Sequence, residues 1–160
     1  MNVYEYDRQS AVDYALKWAK ARNPEFYNFD NLGGDCTNFV SQCLFAGSGI
    51  MNYTKTTGWY YKTLNSRAPA WSGVPFLYNF LVNNDGTGVF GERKELSKIK
   101  DGDVIFMVRN NIELYHAVIV SRVTPNDVFV CSHTFDAINR PLSTYLYQSI
   151  IPISILGFRK

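Results

Sequence analysis

Apolar residues recur at helical spacing in three stretches of this chain and turn to strand spacing after residue 100. In 8–22, Ala11, Val12, Ala15, Trp18 and Ala19 form one stripe, which Tyr14 and Leu16 broaden. Asp7 is a good N-cap, and Asn23-Pro24 is the expected stop. A second helix is predicted from about Cys36 to Ala46, between the Gly33-Gly34 break and Gly47-Ser48-Gly49. Cys36, Phe39, Val40 and Cys43 share one face of it, which must point at the core. A third is predicted over 75–84, with Phe76, Leu77, Phe80 and Leu81 as its apolar side. Residues 50–73 are aperiodic and rich in aromatics.

Strands are predicted at Val104–Val108, Leu114–Val123, Val128–His133 and Ser149–Phe158. Pro152 makes the last of these an edge or bulged strand. Helices followed by an antiparallel sheet give an α+β class, and residues 1–160 read as one domain.

Composition narrows the function classes. The net charge is +2, with no Lys/Arg cluster longer than two residues, so nucleic acid is not an expected partner. No apolar run approaches the ~18–20 residues of a transmembrane segment. The N-terminus shows no signal peptide, so the chain as written reads as cytoplasmic. Cys36, Cys43 and Cys131 have no Cys-x-x-Cys spacing, which argues against a disulfide scaffold or structural zinc. No cofactor is expected, and a monomer is favoured.

Chemistry concentrates at Asp35-Cys36-Thr37-Asn38. A thiol on the first turn of a helix meets free N–H groups and the positive end of the dipole. Such cysteines can have their pKa lowered to ~3.5–7.5. Cys36 is therefore the candidate nucleophile, and Cys43 and Cys131 read as inert core. Only two histidines can serve it, His116 and His133. A hairpin centred on Thr124-Pro125 places 116 opposite 133. One centred on Pro125-Asn126 places 118 opposite 133. Both put the two histidines on one sheet face, unless a one-residue bulge intervenes. A Cys36/His116/His133/Cys131 metal site matches no zinc spacing, so no metal is expected.

Asp35 is the simplest cap for the second helix. Asn38, Ser41 and Gln42 suit buried polar ties to neighbouring loops. Tyr27 and Asn31 are candidate side-chain donors to an oxyanion. Trp59, Tyr60, Tyr61 and Trp71 either line a substrate groove or cover the core beneath a long loop.

The block Gly-Gly-Asp-Cys-Thr-Asn-Phe-Val-Ser-Gln-Cys-Leu-Phe-Ala-Gly, residues 33–47, closely resembles the signature of the putative amidase domain family of Gram-positive bacteria. Asn65–Trp71, Gly102–Ile105, Tyr115–Val120 and Ser132–Asp136 fit its later blocks. That family is similar to the papain-like group that includes NlpC-type and CHAP amidases and peptidases. The resemblance implies a papain-like fold with N-terminal helices on an antiparallel sheet. It implies Cys36 as nucleophile, His116 as base and His133 as the residue orienting it, with Asp136 or Asn139 as alternatives. It also implies amide cleavage through a thioester, in peptide or peptidoglycan substrates, and a role at the cell wall or outside the cell. The alternatives are an acyltransferase using the same chemistry and a non-catalytic wall-binding domain.

Overall fold

The computed structural model describes residues 1–160. Its elements in chain order are β1 (Val3–Tyr4), α1 (Arg8–Trp18), α2 (Cys36–Ser48), β2 (Tyr61–Thr63), β3 (Ser66–Arg67), α3 (Pro69–Ser72) and α4 (Val74–Asn83). There follow β4 (Gly88–Arg93), β5 (Val104–Arg109), β6 (Glu113–Val123), β7 (Val128–Ser132), β8 (Ala137–Pro141) and β9 (Ser149–Arg159). It is a mixed α+β structure with an antiparallel sheet and four helices.

The main sheet has the order β1-β9-β5-β6-β7-β8, and β4 also pairs with β9. β9 is thus interior and not an edge strand. Pro152 is tolerated because it faces the end of the β4 ladder. There the Lys94 N–H still donates to the Pro152 carbonyl, and only the return bond is missing. β9 is also bulged, where Phe90↔Gly157 gives way to Gly91↔Ile155.

Strand alternation puts an apolar layer on each face. Val104, Phe106, Ala117, Ile119 and Cys131 join Phe39, Val40, Cys43, Leu44 and Leu77 in the larger core under the helices. Ile105, Met107, Val118, Val120, Val128 and Val130 form a smaller cluster on the opposite face, closed by Ile99 and Leu142.

α1 begins at the expected cap, where the Asp7 carboxylate accepts the Ser10 N–H at 2.9 Å. It ends at Trp18, well before Asn23-Pro24. Tertiary contacts recruit the following residues: Lys20 reaches the Asp136 carbonyl and Arg22 the Asp136 carboxylate. α2 starts at Cys36 and closes on Gly49, whose φ of 66° suits a glycine C-cap. Every residue from Cys36 to Leu44 is buried, so polar positions on this helix must find partners inside the protein.

The 50–73 segment covers the core. Trp59 and Trp71 are fully buried, so of the two readings they cover the core and do not line a groove. Their indole N–H groups are tethered to α2, Trp59 to Ser41 at 3.0 Å and Trp71 to Asn38 at 2.9 Å. Tyr60 and Tyr61 are half-buried, and both pack against the same core.

Candidate active site

Gly33 and Gly34, with φ of 87° and 97°, bring the chain into α2 through a turn that side chains resist. Asp35 follows at the N-cap position, but its side chain makes no capping bond. The expectation of a simple cap is corrected. Oδ1 accepts the Phe29 N–H at 2.8 Å and the Asn38 amide at 2.9 Å. Oδ2 meets His133 Nδ1 at 2.5 Å and Arg22 Nε at 3.5 Å. Its backbone N–H donates to Thr134 Oγ1 at 3.0 Å. A fully buried carboxylate with this many partners fixes the loop before Cys36, the start of α2 and the end of β7 relative to one another.

Asn38 extends that tie. Its amide nitrogen also donates to the Tyr27 carbonyl at 2.9 Å. Gln42 accepts from the Tyr14 hydroxyl, linking α2 to α1. Tyr27 is exposed and stacks edge-on against Phe29. Asn31 lies exposed in the same loop.

The β6–β7 register explains where the histidines go. Val123 pairs with Val128, as a turn centred on Pro125-Asn126 requires. The register then shifts between Val120 and Arg122, so that Ile119 pairs with Cys131. Ser121 is the extra residue, and this bulge reverses the shared-face expectation. Met107 pairs with His116, which puts His116 in phase with Val118 on the face away from the helices. His133 follows the last residue of β7 in phase with Cys131, on the helix side. A second bulge, at Tyr115, immediately precedes His116.

His133 is enclosed. Its ring stacks on Phe39 with centroids 4.0 Å apart, and Nε2 lies 2.8 Å from the Trp18 carbonyl at the end of α1. A carbonyl only accepts, so Nε2 carries a proton and Nδ1 and Asp35 share another. Both ring nitrogens are thereby occupied away from His116, and His133 does not orient it. Nor do the alternatives bond to it. Asp136 is gripped by Arg22 at 2.8 and 2.9 Å, and Asn139 accepts from Ser121 at 2.7 Å.

Cys36 lies 7% exposed at the start of α2. Val120 accepts from the Gly102 N–H and donates to the Asp103 carbonyl, just ahead of β5, so two-residue alternation turns the Ala117 N–H toward β7. The β6–β7 ladder ends at Ile119, which leaves the Ala117 N–H on the side of the Cys36 thiol, where it favours the thiolate. The Thr37 hydroxyl is 3.8 Å from the sulfur. Ala117 follows His116 in β6, so the N–H acting on the thiol and the histidine belong to neighbouring residues of one strand. The His116 ring makes no hydrogen bond to Cys36 or to any other protein group. It packs beside Tyr115 and Tyr145, with centroids 6.3 Å away in each case.

Electrostatics corrects the lowered thiol pKa expected from the helix start. Burial pushes the Cys36 thiol up, outweighing the Ala117 and Thr37 hydrogen bonds. Burial, then the nearby Arg140 charge, brings His116 down to about 4. At rest the Cys36 thiol and the His116 imidazole are both neutral. Cys43 and Cys131 are free thiols buried in the main core. No group of three or more His, Cys, Asp or Glu side chains is placed to hold a metal. No helix is long and apolar enough to cross a membrane.

Residues 5–156 match the model of a family described as a putative amidase domain. The chain is also similar to the uncharacterized protein YhbB of Bacillus subtilis (strain 168), with 32% identity over 140 residues. That alignment covers 84% of this chain and 43% of YhbB, so the chain spans less than half of that relative's length. No solved structure matches it.

Proposed function

The chain belongs to the putative amidase domain family, and we propose that it cleaves amide bonds with Cys36 as nucleophile and His116 as base. The observation that carries this is the buried thiol at the start of α2, on which the backbone N–H of Ala117, the residue after His116 in β6, acts to favour the thiolate. Family membership supports amide hydrolysis as the reaction. A helix-start cysteine packed on an antiparallel sheet, with a histidine on the adjoining strand, supports a papain-like reading of the fold. The resemblance to NlpC-type and CHAP enzymes supports peptidoglycan peptides as the substrate class.

The neutral resting pair sets the order of proton movements. As the Cys36 sulfur attacks the amide carbonyl carbon, its proton passes to a His116 ring nitrogen. The first N–H groups of α2 have no acceptor within the helix and face the oxyanion. The C–N bond breaks, the amine leaves with the proton from His116, and a thioester remains on Cys36. Water then gives a proton to His116 and attacks the thioester, and the acid leaves as the thiol is restored. Asp35 and His133 act as positioning residues, because they fix the loop and helix that carry Cys36.

The test is cleavage of a peptidoglycan digest followed by mass spectrometry of the products. Cys36→Ala should abolish amide cleavage, and Cys43→Ala should retain it. Retained cleavage in Cys36→Ala would overturn the proposal. Adding a free amine to the assay separates hydrolysis from acyl transfer by the mass of the product.

A further inference from the structure

We propose that Arg140 reads a free carboxylate on the substrate, so that the amide cleaved at Cys36 lies beside an acidic group. The inference rests on the Cys36–His116 reading above and names the substrate chemistry of that site.

The placement comes from the strand register. Arg140 pairs with Val130, and Val130 with Val120, which shares the His116 face of β6. Arg140 therefore stands on the same sheet face as the base. Its guanidinium is held in place. Nε donates to Thr144 Oγ1 at 2.9 Å, and Nη2 donates to the Thr144 carbonyl at 3.0 Å. Its carbon lies 3.8 Å from the centre of the Tyr145 ring. Thr144 is itself tied to the Pro141 carbonyl at 2.7 Å, and the Tyr145 hydroxyl lies 3.1 Å from Ser132 Oγ. The same Tyr145 ring lies 6.3 Å, centre to centre, from the His116 ring.

These contacts use the Nε side of the guanidinium and leave its outer Nη1–Nη2 fork without a protein acceptor. Arg8, Arg22 and Arg109 all sit in ion pairs with carboxylates. Arg140, like Arg67, Arg93, Arg122 and Arg159, has none, and it is the one whose charge acts on His116. A planar fork of donors matches a carboxylate in two parallel hydrogen bonds.

The charge also bears on the reaction. The groups around His116 are Met107 from β5, Tyr115 on its own strand, and Tyr145 with Arg140 beyond it. Arg140 is the charged one, and its charge opposes protonation of His116. A substrate carboxylate seated on the fork offsets that charge and makes proton transfer from Cys36 to His116 easier. An acidic substrate thereby helps to activate its own nucleophile.

The test uses two alkylating probes of nearly equal size, iodoacetate and iodoacetamide, with mass-spectrometric readout at Cys36. Arg140→Gln should lower the iodoacetate rate about tenfold relative to the iodoacetamide rate, the size of a modest charge-assisted hydrogen bond. Arg122→Gln, on the same sheet but stacked on Phe129, should keep the wild-type ratio. Protection of the buried Cys43 and Cys131 confirms that each variant is folded. A ratio unchanged in Arg140→Gln, with Cys36 reactive to both probes, overturns this inference alone. A Cys36 unreactive to both overturns the nucleophile reading and this inference with it. A peptidoglycan digest, before and after conversion of its free carboxyls to amides, then separates the sources. The masses of the lost products show whether the carboxylate is chain-terminal or on a side chain.

Discussion

The two histidines of this chain occupy opposite kinds of site. His133 has a partner at each ring nitrogen and an aromatic ring against its face. His116 is almost as buried, yet its ring has no hydrogen bond in the protein and its charged form is disfavoured. A saturated histidine is a fixed point, because every proton position is already used. An unsaturated one keeps a nitrogen for a reacting proton. Burial alone does not separate the two roles; the hydrogen-bond partners do.

The comparison can be broken most severely at the reactive side. His116→Gln should cut kcat/KM for amide cleavage by about 10²–10⁴, the usual worth of general acid–base catalysis, with the fold retained. An equal loss of activity in a fully folded His133→Gln variant would erase the distinction.

At the saturated side the expected loss is in stability. His133→Ala leaves the Asp35 carboxylate buried with its main partner gone, at a cost of about 3–5 kcal/mol by urea denaturation. Adding Asp35→Asn to that variant should recover part of the loss, since the uncompensated charge is then removed.

Acid sharpens the comparison further. The folded His116 titrates at about 4, against ~6.5 when unfolded. Between these values the unfolded chain binds the extra proton, so stability falls as pH drops through that window. The loss from this group is on the order of 3 kcal/mol by pH 4, and it should disappear in His116→Gln. If His116 is the base proposed above, the same proton sets the acid limb of kcat/KM near pH 4.

The smallest effect separates site from scaffold. Trp59→Phe removes one buried hydrogen bond to Ser41 and should cost about 1–2 kcal/mol in thermal or urea unfolding. Its KM should be unchanged, as expected of a buried core residue.

Much of the scaffold was legible in the sequence. The helical stripes gave α2 and α4 nearly to the residue, and alternation located β5, β6, β7 and β9. These segments bury a face large enough for the pattern to dominate. Nothing in the sequence marks β4 and β8, since Gly88–Arg93 and Ala137–Pro141 carry little alternation and gain their ladders from β9 and β7. The chemistry was legible as residue types: one helix-start cysteine and two histidines. Their division of labour was not.

The sequence by itself determined the α+β order, the position of Cys36 at a helix start and the family signature. These depend on local periodicity, on glycine conformations and on residues close together in the chain. Tertiary structure decided which face each histidine takes, because one extra residue at Ser121 reverses strand phase and nothing in the side-chain pattern marks it. It also decided the charge state of the thiol. The helix start favours a thiolate, but desolvation acts on the same atom and is larger, and desolvation exists only once the chain has packed.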